Sequence, residues 1–130
     1  MSVAPALDSQ QSIVVVEDDA GMKKAIERLL RAAGFQPVSF ASAEELLQTA
    51  AADSAACLVL DINLPGISGL ELGRLLITSG RARPIIFITA QDEAPLRDEA
   101  QRLGCAYFRK PFEGKALLEA IRRATKSIVS

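Results

Sequence analysis

Short, β-branched apolar runs alternate along this chain with stretches in which apolar residues return every three or four positions. The first pattern suits strands buried on both faces of a parallel sheet, the second amphipathic helices. Residues 13–16 form the first such run, and Met22, Ile26, Leu29, Leu30 and Ala33 mark a helix over 20–33 that Gly34 stops. A second strand over 35–40 contains Pro37, which an edge position tolerates. Ser42 and Glu45 have the spacing of a capping box, opening a helix that runs to about residue 52.

The alternation continues with strand 57–60 and helix 68–78, strand 84–88 and helix 93–103, then strand 106–108 and helix 112–124. Ser68 and Glu71 repeat the capping-box spacing, and Pro95 falls in a first helical turn, where its missing N–H costs little. Five strands alternating with five helices predict an α/β fold: a parallel sheet with right-handed crossovers, helices on both faces, and a ligand crevice at the carboxyl ends of the strands. Residues 1–11 lack periodicity and read as a loose N-terminal arm, residues 12–126 as one domain, and residues 127–130 as a short tail.

Composition narrows the chemistry. Hydrophobic residues make up 49% and charged residues 24%, near the averages for globular proteins. The 15 basic and 16 acidic residues leave a net charge of -1, so no general attraction to nucleic acid or anionic lipid is expected. Without a membrane-length apolar run or a secretory leader pattern, a cytoplasmic location is expected. Cys57 and Cys105 lie in apolar stretches and read as core. There is no histidine, which excludes the usual zinc sites and Ser-His or Cys-His nucleophilic machinery. Acid chemistry must rest on carboxylates.

The carboxyl ends of the predicted strands carry Glu17, Asp18 and Asp19, then Asp61, then Thr89, then Arg109, Lys110 and Pro111. Two carboxylates about 4 Å apart repel by roughly 4 kcal/mol at an effective dielectric near 20, so three together call for a cation. Magnesium suits the need, because it takes oxygen ligands and joins one or two carboxylates, here Asp18 and Asp61, to a phosphate. A carboxylate in such a site can attack phosphorus when a metal and a lysine neutralise the transferring oxygens, and Lys110 is placed to be that lysine. Taken singly, an acidic run is ordinary helix-capping decoration, a Thr ordinary packing and Lys-Pro an ordinary turn. Their joint occurrence at the ends of four strands is what carries weight.

With those residues in place, the chain resembles the response-regulator receiver family over about residues 12–126. IVVVEDD is similar to the family's first strand with its acidic pair, LVLDINLPGISGLEL to its phosphoacceptor loop, IIFITA to its fourth strand, and YFRKPF to its fifth strand with Lys-Pro. The resemblance implies a doubly wound, flavodoxin-like (βα)5 fold with strand order 2-1-3-4-5. It implies a switch in two-component or phosphorelay signalling that catalyses only its own phosphorylation and dephosphorylation. Asp61 is then the phosphoacceptor, Glu17 and Asp18 the acidic pair, and the main-chain carbonyl of Asn63 a further Mg2+ ligand beside Asp61. Asp19 falls outside the pair. Thr89 bonds the phosphoryl group, Lys110 pairs with another of its oxygens, Pro111 follows a cis peptide bond, and Tyr107 is the switch aromatic. The implied donor is a sensor histidine kinase or histidine phosphotransfer protein. The implied output is a change in the face made by the fourth helix, fifth strand and fifth helix, read by an effector or a second copy. Glu17 departs from the commoner Asp, and Cys105 stands where small residues are usual.

Two other readings use the same residues. An aspartyl-phosphate phosphatase needs a second acid two positions after the nucleophile, where this chain has Asn63. A phosphate-independent pseudo-receiver should have lost Asp61, Lys110 or the acidic pair, and all are present.

Overall fold

The computed structural model describes residues 11–81, 83–103 and 106–129; residues 1–10 of the expected arm and Cys105 lie outside them. Five parallel strands, β1 Ser12–Val16, β2 Gln36–Phe40, β3 Cys57–Asp61, β4 Ile85–Thr89 and β5 Ala106–Arg109, form one sheet in the order β2-β1-β3-β4-β5. The principal helices are α1 Ala20–Ala32, α2 Ala43–Leu47, α3 Gly69–Thr78, α4 Ala94–Arg102 and α5 Gly114–Val129. The order reverses at β1 and β3, which makes a crevice beyond their carboxyl ends.

Two cores sandwich the sheet because successive strand residues face opposite sides. Ile13, Val15, Cys57, Val59, Ile86 and Ile88 pack with Ile26, Leu30, Leu117 and Ile121 of α1 and α5. Val14, Val16, Leu58, Leu60, Ile85 and Phe87 pack on the other side with Leu46, Leu70, Leu72 and Leu76 of α2 and α3. Burial on both faces explains why the central strands read as unbroken apolar runs. β2 lies at an edge and accommodates Pro37 as expected. Among the described residues, no helix is long and apolar enough to cross a membrane.

Three local expectations are corrected. The second helix does not run unbroken to residue 52: α2 ends at Leu47, and a separate turn spans Ala51–Ser54. The Thr49 hydroxyl donates to Leu46 O (2.9 Å) and accepts from Ala51 N–H (3.2 Å), so this side chain ends one segment and starts the next. At Ser42 only half of the capping box forms. Ser42 Oγ accepts from Glu45 N–H, but the Glu45 carboxylate turns to Ala41 N–H instead of Ser42 N–H. At Ser68 and Glu71 both halves form. Finally, α5 continues to Val129, so most of the expected tail is helix; no glycine or proline follows Ala124, and buried Thr125 extends the inward-facing stripe.

Candidate functional site

β1 and β3 deliver two buried carboxylates to the crevice. Glu17 is 1% exposed and Asp61 3%. Glu17 Oε2 accepts from Asp19 N–H at 3.0 Å, and Asp61 Oδ1 accepts from Asn63 N–H at 2.9 Å. From the end of β5, Lys110 Nζ reaches both, 2.7 Å from Glu17 Oε1 and 3.2 Å from Asp61 Oδ2. The Lys110–Pro111 peptide is cis, and Lys110 N–H donates to Thr89 O at 2.7 Å, which ties the lysine to β4. Asp18 is exposed at the mouth, while Asp19 caps α1 by accepting from Met22 N–H.

Burial pushes the Glu17 carboxyl up to about 7, against the Lys110 hydrogen bond that favours its charged form. Burial acts to lower the Lys110 ammonium, but the Glu17 hydrogen bond and the Asp61 charge outweigh it and hold Lys110 above its ordinary value. One lysine is thus shared between two buried carboxylates. Glu17, Asp18 and Asp61 each bring an oxygen within 4.8 Å of the others. Glu17 Oε1 is buried against the Lys110 ammonium, 2.7 Å from Nζ. A hard divalent cation fits this donor set of three converging carboxylate oxygens.

Glycine makes the close packing of the loop after β3 possible. Gly69 opens α3 directly against β3: its N–H donates to Ile62 O, and a Cβ there would collide with the carbonyl of Asp61. Gly66 has φ 74°, and its Cα lies beside the Glu44 carboxylate, which accepts from Ile67 N–H at 3.0 Å. Glu44 therefore ties this loop to α2.

Thr89 is fully buried but bonds to Asn63, with no hydrogen bond to Asp61. Asn63 Oδ1 lies 2.6 Å from Thr89 Oγ1 and accepts from Ala90 N–H at 3.3 Å. Gln91 brackets the same hydroxyl, with its O at 2.9 Å and its N–H donating at 3.1 Å. The single hydroxyl hydrogen serves Asn63 or Gln91 at any moment. Tyr107, opposite Phe87 in the β4–β5 register, is half-buried against the α2–α3 side core, and its hydroxyl donates to Asp92 Oδ1 at 2.8 Å. The fold thus brings Glu17, Asp18, Asp61 and Lys110 together and sets Thr89 and Tyr107 apart on the next two strands. Sequence reasoning did not single out Gly66, Gly69, Glu44 or Asp92. The glycines stand in a quoted motif and could have been found there; the contacts of Glu44 and Asp92 span 23 and 15 residues and leave no local pattern.

Comparison with known proteins agrees with this arrangement. Residues 13–122 match the response regulator receiver domain family. Nodulation protein W of Bradyrhizobium diazoefficiens is 41% identical over 115 residues, covering 88% of this chain and 51% of that protein. Response regulator protein TmoT of Ectopseudomonas mendocina is 36% identical over 120 residues, 92% of this chain and 54% of that protein. The chain spans about half the length of these two relatives. A solved response regulator receiver protein from Burkholderia phymatum matches with a TM-score of 0.77 at 37% identity, covering 90% of this chain and 96% of that one. With a parallel five-stranded sheet, an acidic crevice and a family match over most of its length, the chain belongs to the response regulator receiver domains, the signalling domains of two-component systems.

Proposed function

We propose that residues 12–126 act as a phosphorylation-dependent switch in which Asp61 takes a phosphoryl group from a phosphohistidine of a partner protein. The observation that carries this reading is Lys110 Nζ in contact with both Asp61 and Glu17, a cation set where a transferred phosphoryl group would place its oxygens. An Asp61 oxygen attacks phosphorus, the P–N bond to the donor imidazole breaks, and its electron pair stays with that nitrogen, leaving an acyl phosphate on Asp61. Water later hydrolyses the acyl phosphate and restores the carboxylate. Lys110 balances one phosphoryl oxygen; Thr89, on leaving Asn63 and Gln91, donates to another. Glu17, Asp18, Asp61 and the main-chain carbonyl of Asn63 would hold Mg2+, which when bound supplies further charge neutralisation.

Residues 1–130 contain no histidine, so the donor phosphohistidine lies outside them, on a sensor histidine kinase or histidine phosphotransfer protein. The movement of Thr89 makes room for the Tyr107 ring to turn inward, reshaping the α4–β5–α5 face for an effector or a second copy. Burying an aromatic ring contributes roughly 1.5 to 3 kcal/mol, comparable to the coupling of a typical allosteric switch. This is signalling chemistry, placed in the cytoplasm where such kinases present their phosphohistidine, and not turnover of a free substrate. Against a phosphatase stands Asn63, whose amide oxygen is engaged by Thr89 and Ala90 and which has no acidic proton to give a leaving group.

The test is intact mass after incubation with acetyl phosphate. Wild type should gain one phosphoryl group with Mg2+ and none without it, and Asp18→Asn should lose both Mg2+ binding and uptake. Uptake by Asp18→Asn at the wild-type rate would refute the metal site, no uptake by wild type would favour the pseudo-receiver, and steady turnover of a phosphomonoester would favour the phosphatase.

A further inference from the structure

The segment between β4 and α4 holds both switch side chains at once. Its Gln91 backbone brackets the Thr89 hydroxyl, and the next residue, Asp92, accepts the Tyr107 hydroxyl at 2.8 Å. Asp92 is itself fixed by Arg97 of α4, whose Nη1 lies 2.8 Å from the same carboxylate oxygen. From Asp92 and Arg97 we infer that Asp92 is a positioning residue, a latch that holds Tyr107 in its resting orientation and opens when Thr89 leaves Gln91 for the phosphoryl group. The inference rests on the proposed phosphate switch and adds to it the group that opposes it.

The physical case is a three-residue chain, Tyr107 to Asp92 to Arg97, in which an anionic acceptor strengthens the bond from the phenol. The Tyr107 hydrogen bond and Arg97 hold the Asp92 carboxyl below its ordinary value. Burial and the same hydrogen bond push the Tyr107 phenol up to about 12, against the opposing charges of Arg97 and Arg109. A phenol that turned inward would leave Asp92 behind, so the resting bond is lost on activation while the Arg97 pair can persist. Release of Gln91 from Thr89 loosens the backbone one residue before Asp92, which couples the two events through a single peptide unit.

Tyr107 is the only tyrosine and the chain has no tryptophan, so its ultraviolet absorption and emission report this phenol alone. In the resting protein, Asp92→Ala should bring the Tyr107 ionisation down toward about 10, the unperturbed value, and change its emission at neutral pH. Asp92→Asn, which keeps an acceptor, should lie between wild type and Asp92→Ala. Both variants should bind beryllofluoride with Mg2+ more tightly than wild type, Asp92→Ala by roughly three- to tenfold, the shift that loss of one resting-state hydrogen bond gives. An unchanged phenol in Asp92→Ala overturns the latch. So does a shifted phenol with beryllofluoride binding no tighter than in wild type. Failure of wild type itself to bind beryllofluoride overturns the phosphate reading and the latch with it, whereas wild-type binding beside an indifferent variant overturns the latch alone.

Discussion

At the β1–β3 end of the crevice, Glu17 and Asp61 are nearly sealed from solvent and share one ammonium group, whereas at the β4–β5 end Tyr107, Asp92 and Arg97 meet at half-exposed positions. The buried end has charges that cannot be moved without leaving a partner behind. The other end has hydrogen bonds that water can replace at small cost. The proposed function puts its chemistry where rearrangement is expensive and its conformational change where alternative states lie close in energy. That division is what a switch requires, since a transferred group must meet a preformed site while the output surface must have two arrangements.

The two ends should differ most when the packing beneath the buried one is disturbed. Gly69→Ala forces a methyl group into the Asp61 carbonyl, so destabilisation of about 3 kcal/mol is expected in urea unfolding. A change below about 0.5 kcal/mol, ordinary for a surface site, would show that α3 can shift freely against β3. Next in size, Lys110→Met keeps the aliphatic stem but removes the charge between Glu17 and Asp61, and should lower stability by about 2 kcal/mol. The matching rim variant, Arg97→Met, should lower it by less than about 0.5 kcal/mol. Equal losses from the two would erase the distinction between the ends.

The carboxylate cluster gives a smaller effect of opposite sign. Asp18→Asn removes one of three crowded carboxylates, so in metal-free buffer it should raise stability by about 1 kcal/mol, and added Mg2+ should then stabilise only the wild type. Unfolding scans with and without Mg2+ measure both halves; a metal-free variant less stable than wild type contradicts the crowding. Smaller again, Glu44→Ala should cost about 0.5 to 1 kcal/mol by freeing the Ile67 N–H, and Glu44→Gln, which retains an acceptor, should recover most of it.

How far each end could be read in the sequence follows the same division. Apolar runs such as VVV in β1 and IIFI in β4 announced buried parallel strands, because two-sided burial leaves no polar position. The acidic run, Asp61 and Lys110 were legible because a parallel sheet of this class delivers the carboxyl ends of its strands to one side. The break between α2 and the turn at Ala51 was missed because Thr49 has a helical neighbourhood and acts through its side-chain hydroxyl. The half-formed box at Ser42 had the right residue spacing, but Ala41 N–H competed for the Glu45 carboxylate. Glu44 and Asp92 were invisible for a different reason: their partners come from distant segments, and only the folded chain makes them neighbours.

Asp61 is the proposed nucleophile, and locating the phosphoryl group tests that role most directly. After acetyl phosphate and Mg2+, peptide mapping of the wild type should place a single phosphoryl group on Asp61, base-labile and cleaved by hydroxylamine as an acyl phosphate is and a serine or threonine ester is not. Asp61→Asn, nearly isosteric and lacking the anionic oxygen, should take up none while keeping its circular dichroism spectrum. A label on a serine or threonine, or undiminished uptake by Asp61→Asn, would contradict the account.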